Sequence, residues 1–172
     1  MEQDGETMMP SMINPMEALR SFQEAYDNRE LRTESGRVHR DLIVHADQSG
    51  GAPRMTYAQF DGALVAGLVE FVLADPIDNV ICWQTGYAVR EEFRGRGLGA
   101  ELLQKGIDEM QNGFRNLAPS IYVEAVIAKE NLPSRRIAER VLGGSATDCT
   151  DAYSGESAVQ YKRLVRLGSG TK

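Results

Sequence analysis

Cysteine is scarce in this sequence, and no pair of cysteines has the spacing of a metal site. Cys82 lies in an apolar run and Cys149 in a polar stretch, and they are the only two among 172 residues. Without a CxxC pair or a secretory context, such cysteines are more often free thiols than a disulfide. We therefore expect neither a disulfide framework nor a bound metal ion.

Long hydrophobic runs are also absent from the sequence. No segment approaches the roughly 18 consecutive apolar residues that a membrane-spanning helix requires. Residues 1–12 are acidic and contain no apolar core of the kind found in secretory leaders. The sequence therefore predicts a cytoplasmic protein without a membrane partner.

Positive charge is outnumbered by negative charge. The sequence contains 19 Lys and Arg residues and 25 Asp and Glu residues, which gives a formal net charge of −6. Because nucleic-acid binding usually needs a basic surface, we expect no nucleic-acid partner. The acidic balance is compatible with a cationic substrate such as an amine.

Length and composition favour one folded domain. Hydrophobic residues make up 42% of the chain and charged residues 26%, as in average soluble proteins. Residues 1–14, rich in methionine and polar side chains, and residues 167–172 are predicted to be flexible tails. The domain itself is predicted to span residues 15–166, without an internal repeat.

Apolar periodicity predicts helices that begin at Pro15, Leu98 and Leu132, and the second of these is expected to stop at Asn112-Gly113. Strands are predicted at 42–44, 55–60, 64–73, 80–89, 121–128 and 158–165, with loops at 47–53 and 146–156 and a break at Asp75-Pro76. This order predicts an α/β (α+β) domain. It has one mixed, mostly antiparallel sheet of about six to seven strands flanked by helices.

A segment rich in glycine and arginine stands between the strand 80–89 and the helix that follows it. It reads Arg94, Gly95, Arg96, Gly97, Leu98, Gly99 and Ala100. Glycines let the backbone turn sharply and direct several N–H groups at one point, while a helix N-terminus and the arginines add positive charge. This combination favours binding of a pyrophosphate. A surface loop and an RNA-contacting segment are competing interpretations, whereas neither a P-loop nor a Rossmann motif fits the residues.

The segment resembles the signature of the GNAT superfamily of N-acetyltransferases, Arg/Gln-x-x-Gly-x-Gly/Ala at a strand-to-helix turn. The strand end Tyr87-Ala88-Val89 is similar to the apolar strand end that precedes this signature in the family. A second family element, an Asn after the next strand followed three positions on by a small residue, is matched by Asn131 and Ser134. The resemblance covers roughly residues 55–165 and implies a single GNAT-like domain.

The resemblance implies acetyl-CoA as the cosubstrate and a primary amine of an unidentified acceptor as the group that is acetylated. In the family, the amine attacks the thioester directly, and no covalent enzyme intermediate forms. The implied cofactor-binding residues are Tyr87, Ala88, Val89, the loop residues 94–100, Asn131 and Ser134. A backbone N–H near Val89 would hydrogen-bond the thioester oxygen as negative charge develops there.

One departure from the family pattern leaves a second hypothesis open. Many GNAT members carry a Tyr on the helix after the Asn, about one turn beyond the small residue, where this chain has Ile137-Ala138. The alternative to an enzyme is therefore a non-catalytic GNAT-like module that binds acyl-CoA. The sequence also leaves a homodimer open.

The candidates for general base and general acid are carboxylates in strands and a tyrosine in a loop. Glu124 and Glu70 both stand in otherwise apolar strands, where a carboxylate must be paired or have a shifted pKa. We take Glu124 as the candidate base, accepting the amine proton directly or through water, and Glu70 as its alternative. Tyr153, in the loop before the last strand, is the candidate acid.

Overall fold

The computed structural model describes residues 14–168. The predicted tails at 1–14 and 167–172 lie almost entirely outside these residues. The helices are α1 (Pro15–Asp27), α2 (Leu98–Phe114) and α3 (Leu132–Val141), with a short 3-10 helix at Glu91–Phe93. The strands are β1 (Glu34–Ser35), β2 (Leu42–Ser49), β3 (Ala52–Asp61), β4 (Leu64–Ile77), β5 (Val80–Val89), β6 (Ser120–Ala128), β7 (Thr147–Thr150) and β8 (Ser157–Arg166). No helix in this part of the chain is long and apolar enough to cross a membrane.

One sheet holds all eight of these strands, in the order β1-β2-β3-β4-β5-β6-β8-β7. Within the described chain β5 and β6 pair in parallel, and the other neighbouring strands pair antiparallel. The predicted α/β domain with a mixed, mostly antiparallel sheet is therefore confirmed. The predicted count of six to seven strands was too low, because β1 and β7 have only 2 and 4 residues. Such short, mostly exposed strands are too brief to show a periodicity.

Two predicted breaks in the sheet fall inside strands. Residues 47–53 belong to the hairpin of β2 and β3, in which Asp47 pairs with Arg54, and only Gly50-Gly51 forms the turn. β4 runs through Asp75-Pro76, and the chain turns instead at Asp78-Asn79, where both residues have positive φ. In both places pairing with the neighbouring strand extends the ladder past residues that locally favour a turn.

The predicted end of α2 is also wrong. The helix continues through Asn112-Gly113 to Phe114. The ring of Phe114 packs on that of Trp83, with 5.3 Å between the ring centroids. This contact with the sheet stabilises a last turn that the local sequence disfavours, because packing outweighs helix propensity.

The helices cover opposite faces of the sheet. α2 and α3 pack on one face, in a core that includes Val69 and Ile121, and we call this the α2 face. Leu19 and Phe22 of α1 pack against Leu68 on the other face, which we call the α1 face. Because side chains alternate along a strand, each strand sends its residues to these two faces in turn.

The sheet opens between β5 and β6. Their parallel pairing is limited to Cys82, Trp83 and Gln84 opposite Tyr122, Val123 and Glu124. Beyond these residues the two strands continue to Val89 and Ala128 without pairing to each other. Each strand therefore has an edge of backbone groups that no strand pairs with in the described chain, and we call the gap between them the β5–β6 split.

Candidate active site

A cavity of about 480 Å³ opens where the end of β5 meets the first turns of α1, α2 and α3. The predicted cofactor residues that line it are Tyr87, Ala88, Val89, Arg94, Gly95, Gly97, Leu98, Gly99, Ala100, Asn131 and Ser134. Arg96 does not line it, and its guanidinium lies 5.8 Å from the ring centroid of Phe93. The fold thus brings the glycine loop and the Asn131 element to one place.

The glycine loop adopts the left-handed backbone conformation that glycine favours. Gly95 has a φ of 76° and Gly97 a φ of 77°. Gly97 is also the N-cap of α2, and no side chain caps this end of the helix. The N–H groups of a first helical turn have no intrahelical partner and lie at the positive end of the helix dipole. They are oriented to bind an anion such as a pyrophosphate.

Gly99 lines the cavity and also allows two helices to meet. A Cβ built on Gly99 would lie 2.6 Å from Cδ1 of Ile137 on α3. By contrast, a Cβ on Gly95 or Gly97 would meet nothing within 4 Å. Replacing Gly99 would therefore disturb helix packing as well as the cavity, so Gly97 is the better position at which to test the loop alone.

The end of β5 presents the N–H group of Val89 to the split. The next residue, Arg90, donates its N–H to the carbonyl of Ala66 on β4 at 2.8 Å. Because successive N–H groups of a strand point to opposite sides, the N–H of Val89 points away from β4. Arg94 Nε donates to the Val89 carbonyl at 3.0 Å, which fixes the glycine loop to the strand end.

Two polar side chains in the cavity wall fix the position of α3. The Tyr87 hydroxyl donates to the carbonyl of Ser134 at 2.5 Å, and the burial of this hydroxyl raises its pKa. The Asn131 side chain accepts from the Ser134 N–H at 3.3 Å, so it caps α3. The start of α3 is thereby attached to β5 beside the loop.

The charged side chains that line the cavity are all arginines. They are Arg94, Arg136 and Arg140, and no carboxylate of residues 14–168 lines it. This is notable in a chain whose net charge is −6. Positive charge gathered in a concave site favours an anionic ligand, so the lining fits the phosphate groups of CoA. Arg136 and Arg140 were not among the residues predicted from the sequence, because their positions matter only once α3 packs beside the loop.

Comparison with known proteins gives the family. A sequence profile described as the Acetyltransferase (GNAT) family matches residues 16–143. The chain belongs to the GNAT family. Its members are acyltransferases, and the predicted resemblance to the GNAT superfamily is confirmed by this match.

The individual relatives of this GNAT chain are distant. It is 33% identical over 91 residues to the L-2,4-diaminobutyric acid acetyltransferase of Shouchella clausii (strain KSM-K16), a match that covers 52% of this chain and 47% of that protein. The chain therefore spans about half the length of this curated relative. Among solved structures it is similar to a ribosomal L7/L12 alpha-N-protein acetyltransferase in complex with coenzyme A, with a TM-score of 0.51 and 19% identity over 67% of this chain and 64% of that one. The structural similarity supports the fold alone.

Glu124 lies at the closed end of the split in this GNAT fold. It is opposite Gln84, the last residue of β5 that pairs with β6. Its neighbours on β6, Val123 and Ala125, belong to the core of the α2 face, so Glu124 is on the α1 face. Gln160 Nε2 donates to its carboxylate at 2.5 Å.

Glu70 lies on the same face, on the other side of β5. It is opposite Gly86, and its side chain is 16% exposed. Burial raises the pKa of Glu70, an effect opposed by the guanidinium of Arg54, which is 3.7 Å from the carboxylate. The two candidate carboxylates therefore flank β5 on the α1 face.

Tyr153 is not among the residues that line the cavity. It lies in the loop at 151–156 between β7 and β8, and it is 62% exposed. This loop precedes Ala158, which pairs with Ala128 at the end of β6. Tyr153 is therefore on the surface, in a loop at the same end of the sheet as the open end of the split.

Proposed function

We propose that this GNAT protein transfers the acetyl group of acetyl-CoA to a primary amine of an acceptor. The observation that carries the proposal is the junction of an arginine-lined cavity, an uncapped helix N-terminus and the open β5–β6 split. The first two features suit the phosphates of a CoA cofactor. The unpaired strand edges suit the amide groups of its pantetheine arm, which can hydrogen-bond to them as an added strand would.

The proposed reaction is a direct transfer. The amine nitrogen attacks the thioester carbon, a C–N bond forms, the C–S bond breaks, the nitrogen loses a proton and the sulfur gains one. The Val89 N–H, which points toward the split, would donate a hydrogen bond to the thioester oxygen as negative charge develops on it. Holding both reactants in one orientation would supply much of the remaining reduction of the barrier.

The proposed base is Glu124, acting directly or through a water molecule. Its position supports this role, because it stands where β5 and β6 separate and lies on the α1 face, opposite to α2 and α3, whose first turns line the cavity. An amine that approaches from the α1 face would therefore reach both the carboxylate of Glu124 and the thioester end of a cofactor bound in the split. Glu70 is the nearest alternative on that face.

The proposed acid is Tyr153, and its replacement should have a modest effect. Because a thiol has a pKa of about 8.5, the departing thiolate is a good leaving group and needs little help from an acid. We expect Tyr153→Phe to lower kcat by about tenfold, with KM for acetyl-CoA unchanged. Steady-state kinetics measure both constants, and an unchanged kcat would mean that water protonates the thiolate.

Asn131 is proposed to contact the cofactor in addition to capping α3. Asn131→Ala should cost about 1 kcal/mol of folding stability through the lost cap, and it should also weaken CoA binding by about tenfold. Asn131→Ser is the control, because serine restores the cap without the amide. Thermal melting and calorimetry separate the two effects, and a loss of stability without a loss of affinity would limit Asn131 to capping.

The test of the proposed function is the release of free thiol from acetyl-CoA in the presence of a panel of primary amines. The panel includes L-2,4-diaminobutyrate, because the Shouchella clausii relative carries that name, together with a polyamine and peptides with free α-amino groups. Enzyme-dependent thiol release, matched by the acetylated amine in mass spectrometry, would support the proposal. Binding of CoA without release for any amine would instead favour the non-catalytic module.

A further inference from the structure

We propose that Arg136 and Arg140 bind the 3′-phosphate on the ribose of CoA, so that the protein distinguishes CoA from dephospho-CoA. The inference rests on the proposed function and deepens it, because it assigns one part of the same cofactor to two residues outside the GNAT motifs. The ligand group is a phosphate monoester with a charge close to −2 at neutral pH.

The two arginines form one cationic edge of the cavity. Both line it, and they are four residues apart on α3, so their side chains lie on the same side of the helix about one turn apart. A single phosphate can accept hydrogen bonds from two guanidinium groups at this spacing.

The guanidinium groups of this pair are not used elsewhere in the described structure. The neighbouring Arg135 donates to the Tyr161 hydroxyl at 3.1 Å and to the carbonyl of Lys129 at 3.0 Å. Arg136 and Arg140 have no such hydrogen bond and no ion pair among residues 14–168. Their charge therefore remains available to a ligand.

The pair belongs to a different helix from the N–H groups proposed to bind the pyrophosphate. Ile137, between the two arginines, packs where α3 meets Gly99 at the start of α2. The arginines therefore line the α3 wall of the cavity, whereas the glycine loop lines the wall formed by the start of α2. Arg94 is already bonded to the carbonyl of Val89 and sits at the loop itself. The loop and Arg94 suit a pyrophosphate, and the α3 pair provides separate cations for a third phosphate.

Calorimetric titration with CoA and with dephospho-CoA tests the assignment. The natural protein should bind CoA at least tenfold more tightly than dephospho-CoA. The double variant Arg136→Gln/Arg140→Gln, which keeps good helix formers at both positions, should lose this ratio and keep its affinity for dephospho-CoA within about threefold. The double variant Arg115→Gln/Arg166→Gln, which removes the same charge from exposed residues outside the cavity, should keep the ratio.

Two results would overturn the assignment. Equal affinities of the natural protein for the two ligands, or a ratio preserved in Arg136→Gln/Arg140→Gln, would show that these arginines do not recognise the 3′-phosphate. The proposed function would survive either result. Failure of the natural protein to bind either ligand would contradict the assignment and the proposed function together.

Discussion

Gly97→Val is expected to lower the affinity for CoA by a factor of about 100 or more. The reason is the geometry of the loop. Gly97 has a φ of 77°, and a Cβ on it would project into open space at the N-terminus of α2. The two methyl groups of valine would occupy the space above the free N–H groups, which a pyrophosphate needs in order to approach the backbone. Calorimetric titration of the variant with CoA measures the loss.

The control for this variant is Gly62→Val. Gly62 has a φ of 60°, and a Cβ on it would likewise meet nothing within 4 Å, but it lies in the turn between β3 and β4, outside the cavity. Both variants carry a similar conformational strain, on the order of 1–3 kcal/mol. Gly62→Val should therefore lower the melting temperature as Gly97→Val does and keep its affinity for CoA. Equal affinities of the two variants would contradict the assignment of the loop.

Glu124→Gln is expected to lower kcat/KM for the amine acceptor by about 100-fold, the usual contribution of a general base. The substitution keeps the shape of the side chain and its neighbour Gln160, which hydrogen-bonds to Glu124, and it removes the group that can accept a proton. Binding of CoA should not change, because Glu124 does not line the cavity. Initial rates of thiol release at saturating acetyl-CoA, measured from pH 6 to pH 9, give the comparison.

Glu70→Gln is the matched control for the base. Glu70 is a strand carboxylate on the same face, separated from Glu124 by β5. We expect its replacement to lower kcat/KM by less than tenfold. If Glu124→Gln stayed within about threefold of the natural protein across the pH range while Glu70→Gln lost more activity, the base would be Glu70.

The backbone conformation of the glycine loop could be predicted from the local sequence. Positive φ, the absence of Cβ atoms and a helix start all depend on neighbouring residues, so Gly95, Gly97 and Gly99 could be identified without a structure. The strand 80–89 was predicted with the bounds that the structure has, since bulky apolar side chains fill it between a turn and the loop. The partnership with Asn131 came from the family resemblance instead.

The β5–β6 split could not be predicted from the sequence. It depends on where the parallel pairing of Gln84 with Glu124 ends, and that register is fixed by contacts between residues far apart in the chain. The same holds for Arg136 and Arg140, which reach the cavity because Ile137 packs at Gly99. Likewise the carboxylates of Glu70 and Glu124 were visible as charges in apolar strands, but only strand register puts them on one face.

A crystal structure of the protein with CoA tests the central claim most directly. We predict electron density for the pyrophosphate within hydrogen-bonding distance of the N–H groups of residues 95–100, and for the sulfur inside the β5–β6 split beside Val89. Ordered CoA bound elsewhere on the surface, with no density at the glycine loop, would contradict the account.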